Sequence, residues 1–145
     1  MSNTLVVETL KKVLADSYAL YLKTQNYHWN VEGPNFKTLH LLFEEQYSEL
    51  ALAIDSVAEL IRALGEKTPG TWKAYEAITD IKDGDENASA ETMVADLAAD
   101  QDRMQKTLQA ALKAAQDNDD EVVIGALVDR MTIHRKNKWM LNSSI

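Results

Sequence analysis

Two histidines and three carboxylates, His28, His40, Glu44, Asp55 and Glu59, are the residues of this sequence whose types and spacing suit metal chemistry. The chain has no cysteine, so a metal must be held by imidazole and carboxylate rather than by thiolate. His40 and Glu44 stand one helical turn apart, as do Asp55 and Glu59. At the α-helical periodicity all four fall on one stripe of a single helix, beside its apolar face. The two pairs do not meet within that helix, because 15 residues at a rise of about 1.5 Å each put roughly 22 Å between His40 and Asp55. If two copies of the helix cross antiparallel about a two-fold axis, residue i faces residue j wherever the two numbers add to a fixed total. His40 with Glu59 and Glu44 with Asp55 share one total. A single axis near residues 49 and 50 therefore brings both pairs together and makes two identical sites per dimer.

His28 lies at the end of the preceding helix, and the short 31–35 turn lets it fold back beside His40. Two imidazoles and one carboxylate from one chain, with two carboxylates from its mate, leave open positions on a bound metal. That set suits Fe(II), or less selectively Zn(II) or Mn(II). Trp29, next to His28, is placed to shield such a site or to intercept stray oxidising radicals. Plainer readings stand beside this one. A carboxylate pair one turn apart also suits a solvated face, with Glu59 pairing to Arg62, and a histidine beside a tryptophan also suits a packed, hydrogen-bonded position.

These residues need helices to carry them. The 145 residues fit one domain, 1–145, and only two prolines and five glycines interrupt a chain rich in strong helix formers, so the class is all-α. Apolar positions at intervals of three and four predict helix one over about residues 4–30, through Leu10, Leu14 and Tyr21. Gly33-Pro34 breaks it, and Asn35 is suited to cap helix two. Helix two, over about 36–64, carries Phe36, Leu39, Phe43, Tyr47, Leu50, Ile54, Val57, Ile61 and Leu64, and stops at Gly65 with Pro69-Gly70 beyond. Residues 70–90, with Trp72, Tyr75 and Ile78, read as a short helix inside a long connection. A connection of that length suits a crossover that sets helices two and three parallel. Helix three should start near Ser89 and end before the acidic run at 117–120. Helix four carries Val122, Leu127, Met131, Trp139 and Leu141, which completes a four-helix bundle.

A net charge of -8 disfavours unspecific binding to nucleic acid or anionic lipid and draws cations to any concave surface. The apolar run near the N-terminus is broken by Glu8, Lys11 and Lys12, unlike a signal peptide, and no run of about 18 apolar residues suggests a membrane span. A cytoplasmic protein is the expectation.

The motifs His28-Trp29-Asn30, Gly33-Pro34-Asn35-Phe36, Leu39-His40-x-x-Phe43-Glu44-x-x-Tyr47 and Asp55-x-x-Ala58-Glu59 resemble the Dps family, the miniferritins. The ending His134-Arg135-Lys136-Asn137-Lys138-Trp139-Met140-Leu141 is similar to the family's His-Glu-Lys-x-x-Trp-Met-Leu, so the resemblance runs along nearly the whole chain. It implies a ferritin-like four-helix bundle and a hollow dodecamer. Ferroxidase sites at its two-fold interfaces would oxidise Fe(II), preferably with hydrogen peroxide, and the ferric mineral would be stored inside. By resemblance His28, His40 and Glu44 come from one subunit, with Asp55 and Glu59 from the other. Conventional ferritins would need a glutamate three residues before a histidine, where this chain has Gln25, Lys37 and Met131. The acidic residues Asp117, Asp119, Asp120 and Glu121 stand where the family lines its iron-entry pores, or else form an acidic helix start, and Gly125 replaces an Asp often found there. Arg135 replaces the family's Glu, and His134 reads as structural. Members that bind DNA strongly carry a Lys-rich tail, absent at 1–4 and 142–145. DNA compaction with iron oxidation secondary is the alternative, and it would need divalent cations or a patch around Arg130, Arg135, Lys136 and Lys138.

Overall fold

The computed structural model describes residues 3–145; Met1 and Ser2, half of the uncharged N-terminal stretch, lie outside the described residues. Among the described residues five helices follow one another: α1 (Thr4–Asn30), α2 (Phe36–Ala63), α3 (Trp72–Ile78), α4 (Ala90–Asp117) and α5 (Glu121–Asn142). The four long ones form the expected all-α bundle, with α3 as the short extra helix in the connection between the second and third.

Helix ends obey local chemistry. At the end of α2, Gly65 takes a left-handed φ of 95°, which lets Gly65 N–H bond the Arg62 carbonyl and Glu66 N–H bond that of Ile61. Ser89 accepts from Thr92 N–H and caps α4. Asn35 differs from expectation: it occupies the N-cap position of α2 but its side chain makes no capping bond, and its backbone (φ -103°, ψ 21°) already lies close to the helical region. Gly33, at φ 117°, makes that turn instead, its carbonyl accepting from Phe36 N–H.

α1 is the central member, packed on α2 and α4, while α4 packs on α5 and α2 meets α5 at few points. Along α1 and α4 the bonded pairs run in opposite directions: Asp16 with Thr107, and Tyr27 with Asp96. Since α1 is also antiparallel to α2 across the short turn, α2 and α4 run parallel, which the long crossover permits. That crossover is held by a buried carboxylate. Asp16, 1% exposed, accepts from Lys12 Nζ (2.8 Å), the Thr79 and Thr107 hydroxyls (2.6 Å each) and Asp80 N–H (2.9 Å). Farther along, buried Lys23 contacts Asp100 (2.8 Å) and Asp96 (3.1 Å), and Gly84 passes so close to Tyr27 that a Cβ would stand 2.8 Å from its ring.

Where α2 and α5 part, a polar clamp joins them. Arg130 donates to Glu49 on α2 and to His134 Nε2 (3.0 Å), and His134 Nδ1–H donates to Gln101 on α4 (2.7 Å). His134 is 1% exposed. Burial and then the Arg130 charge push its pKa down to about 3, so it is a neutral structural residue.

Candidate metal centre

The turn at 31–35 sets the last turn of α1 against the first turns of α2, and there the two histidines lock each other. His28 Nδ1 lies 2.7 Å from the His40 carbonyl, and His40 Nδ1 lies 2.6 Å from the His28 carbonyl. A carbonyl only accepts, so both Nδ1 atoms carry a proton, which leaves the two Nε2 atoms as the ring positions that a metal would take. The His28 carbonyl is one of the last four of α1, which have no partner within the helix, so His40 satisfies an end that would otherwise be orphaned. The rings stack with centroids 3.8 Å apart at 12°. Phe36 stacks at 4.9 Å on His40, and Tyr47 meets His28 edge-on at 5.2 Å. Orientation and tautomer are thus fixed before any metal arrives, as good imidazole ligands require.

Glu44 Oε1 lies 3.9 Å from His28 Nε2 with its side chain half exposed. The other carboxylates sit farther along α2, both exposed. Glu59 does not pair with Arg62, which donates instead to the Glu66 carbonyl (3.1 Å). Its pKa is raised because it shares a hydrogen bond with Asp55 and lies beside that residue's like charge. The two carboxylates thus lie side by side on an open surface, where a cation would offset their mutual repulsion. Among the described residues no three histidine or carboxylate groups of one chain are close enough together to hold a metal. The candidate ligands fall into two separate groups on the chain, a nitrogen-rich one at His28, His40 and Glu44 and an oxygen-only one at Asp55 and Glu59.

A ferritin-like domain model matches residues 7–145. The chain is 40% identical over 141 residues to DNA protection during starvation protein 2 of Bacillus anthracis, covering 97% of each. The chain belongs to the Dps family of ferritin-like proteins. The Dps structure from Bacillus brevis superposes with a TM-score of 0.95 at 34% identity, covering 99% of this chain and 98% of that one. Dps from Staphylococcus aureus gives 0.94 at 35%, covering 99% and 97%. The Dps protein of Vibrio cholerae, described as a member of a broad superfamily of ferritin-like diiron-carboxylate proteins, gives 0.91 at 28%, covering 95% and 87%.

Other residues singled out in the sequence fall into place around this Dps-type frame. Trp29 is 61% exposed and makes no ring contact with either histidine; it lines an outer recess with Asn30, Trp72 and the 82–86 segment. Within the acidic run, Asp117 pairs with Lys113. Asp119 adopts a left-handed φ of 53° that ends α4, Asp120 caps α5 by accepting from Val123 N–H, and Glu121 begins its first turn. Gly125 is exposed, with open space around it. The basic patch is reduced: Arg130 is buried in its clamp and Lys138 is neutralised by Asp102 (2.8 Å), leaving Arg135 and Lys136 exposed. Among the described residues no helix is long and apolar enough to cross a membrane. Two supports of the site were not singled out as such in the sequence. Phe36, one turn before His40, was visible in the spacing, whereas the reciprocal histidine bonds leave no local signature.

Proposed function

We propose that this chain is a ferroxidase and iron-storage protein: it oxidises Fe(II), preferably with hydrogen peroxide, at sites shared between two subunits and keeps the ferric product inside a dodecameric shell in the cytoplasm. The observation that carries this reading is the pair of Nε2 atoms fixed by reciprocal backbone bonds beside Glu44, a half-site that lacks enough ligands to finish itself. The Asp55 and Glu59 pair supplies what is missing when a second α2 crosses antiparallel. At such a crossing the small residues Ser48 and Ala51 face each other near the axis. It also covers Leu52, 74% exposed on the free chain, whose burial contributes about 1.5–3 kcal/mol.

Imidazole nitrogen holds Fe(II) well, and the carboxylates favour the harder Fe(III) that forms. Each peroxide accepts two electrons, one from each of two Fe(II) ions, so that 2 Fe(II) + H2O2 + 2 H+ gives 2 Fe(III) + 2 H2O and no hydroxyl radical escapes. His28 and His40 bind and orient without exchanging protons at Nδ1, since both carbonyl bonds hold those protons in place.

The test is an anaerobic Fe(II) titration followed by stoichiometric peroxide, on the wild type and on His40→Ala with Asp55→Ala. Loss of rapid ferric formation in the variant is expected; unchanged oxidation would defeat the site. Native mass measurement should give twelve chains, and a much smaller particle would remove the storage cavity. DNA compaction is disfavoured by the reduced basic patch. A mobility-shift assay across salt and Mg(II) should show no retention.

A further inference from the structure

Tyrosines crowd the seam between the histidine half-site and the crossover. Of the five in the chain, four form an unbroken ring series that starts on a site histidine. Tyr47 meets His28 edge-on at 5.2 Å and Tyr21 lies 5.9 Å from Tyr47. Tyr18 lies 5.9 Å from Tyr21, and Tyr75 stacks on Tyr18 at 5.1 Å and 29°. The fifth, Tyr27, stands apart, its hydroxyl donated to Asp96 at 2.6 Å.

We propose that Tyr47, Tyr21 and Tyr18 form a one-electron relay that carries an oxidising equivalent from the iron site to the protein surface, a protective activity distinct from paired iron oxidation. It rests on the iron reading above and addresses the case that reading leaves uncovered, a peroxide that meets a site holding a single Fe(II). Such a peroxide is one electron short. With tyrosine as the second donor, Fe(II) + Tyr–OH + H2O2 + H+ gives Fe(III) + Tyr–O• + 2 H2O, the iron and the phenol each losing one electron and the phenol its proton. Tyr47, nearest the site, is oxidised first. It takes an electron from Tyr21, which takes one from Tyr18, and the proton that Tyr18 releases to water balances the one taken up from water to re-form the Tyr47 phenol.

The direction of travel follows from where a phenol proton can go. Tyr18 is 37% exposed, the most open of the three rings, so it is the one placed to give its proton to water. Tyr75, the next ring, is buried, and its hydroxyl is donated to the Pro69 carbonyl at 2.5 Å. A backbone carbonyl does not take up a proton, and burial raises the Tyr75 pKa further, so oxidation stops one ring earlier. A soluble thiol or ascorbate then returns a hydrogen atom to the Tyr18 radical. Aromatic packing alone is the competing explanation, since such ring pairs stabilise a fold by about 0.5–1.5 kcal/mol each without any redox role.

The experiment loads the assembled protein anaerobically with fewer Fe(II) ions than sites, adds peroxide with a nitroso spin trap, and maps the adducts by peptide mass spectrometry. Ferric yield at full loading is followed in parallel. The wild type should carry the adduct on Tyr18. Tyr21→Phe keeps the ring packing and lies away from the ligands, so it should lose the Tyr18 adduct while ferric yield stays unchanged; Tyr75→Phe should keep both. A Tyr18 adduct that persists in Tyr21→Phe, or wild-type adducts confined to Trp29, would overturn the relay. Absence of ferric product in the fully loaded wild type would overturn the iron reading itself, and with it the relay.

Discussion

Acidification should loosen the clamp between α2, α4 and α5 in a way that isolates one residue, His134. The ring is 1% exposed, with Arg130 donating to its Nε2 and Gln101 accepting from its Nδ1, and its pKa falls from 6.5 to about 3 through burial and then the Arg130 charge. The folded value lies below the unfolded one. Below about pH 6.5 the unfolded chain therefore binds one proton more than the folded chain, and the stability present above that pH is lost as pH falls toward about 3. At about 1.4 kcal/mol per unit once past the unfolded pKa, going from about pH 7 to about pH 5 removes about 2 kcal/mol from this group alone. The assay is guanidinium unfolding at fixed protein concentration across that range, on the wild type and on His134→Gln, which has no proton to gain. The difference between the two stabilities should shrink by about 2 kcal/mol over the range. Parallel curves for the two proteins would refute the assignment of a neutral, desolvated histidine.

Two other perturbations test the crossover. Gly84→Ala places a Cβ 2.8 Å from the buried Tyr27 ring and should cost about 1–3 kcal/mol, read as a lowered midpoint of thermal unfolding; an unchanged midpoint would mean that the ring yields freely. Asp16→Ala leaves two hydroxyls, a backbone N–H and the Lys12 ammonium without their shared acceptor and should cost about 3 kcal/mol or more. Hydrogen exchange at the Asp80 amide should then rise far above that of neighbouring helical amides, and wild-type protection there would contradict the tether.

The long helices were legible because their apolar residues repeat every three or four positions; α2 ends within one residue of its expected boundary, at Ala63 rather than Leu64. The five candidate ligands stood out by type, and the four on α2 also by their matching intervals, with His28 reached only across the turn from α1. What was not legible depends on partners far away in sequence. Arg130 looks like surface charge until Glu49, 81 residues earlier, is found beside it. The reciprocal histidine bonds join a side chain on one helix to a carbonyl on another, and no local periodicity encodes them. Asn35 shows the converse, a residue of the right type at the cap position whose side chain makes no cap bond because the backbone arrives already near helical. Tyr18, Tyr21 and Tyr47 sit at ordinary core spacing, and only the tertiary fold reveals that their rings touch in series.

The sharpest test of a site shared between subunits mixes two inactive variants. His40→Ala and Asp55→Ala each spoil both sites of a dimer when pure. In a mixed dimer the two lesions fall in the same site and leave the other intact. Unfolding and reassembling equal amounts makes about half of the dimers mixed, so about one quarter of wild-type sites should return, measured as the fast ferric burst after peroxide addition. Recovery near that fraction is the expected result; no recovery in particles that have demonstrably exchanged subunits would contradict a site built from two chains.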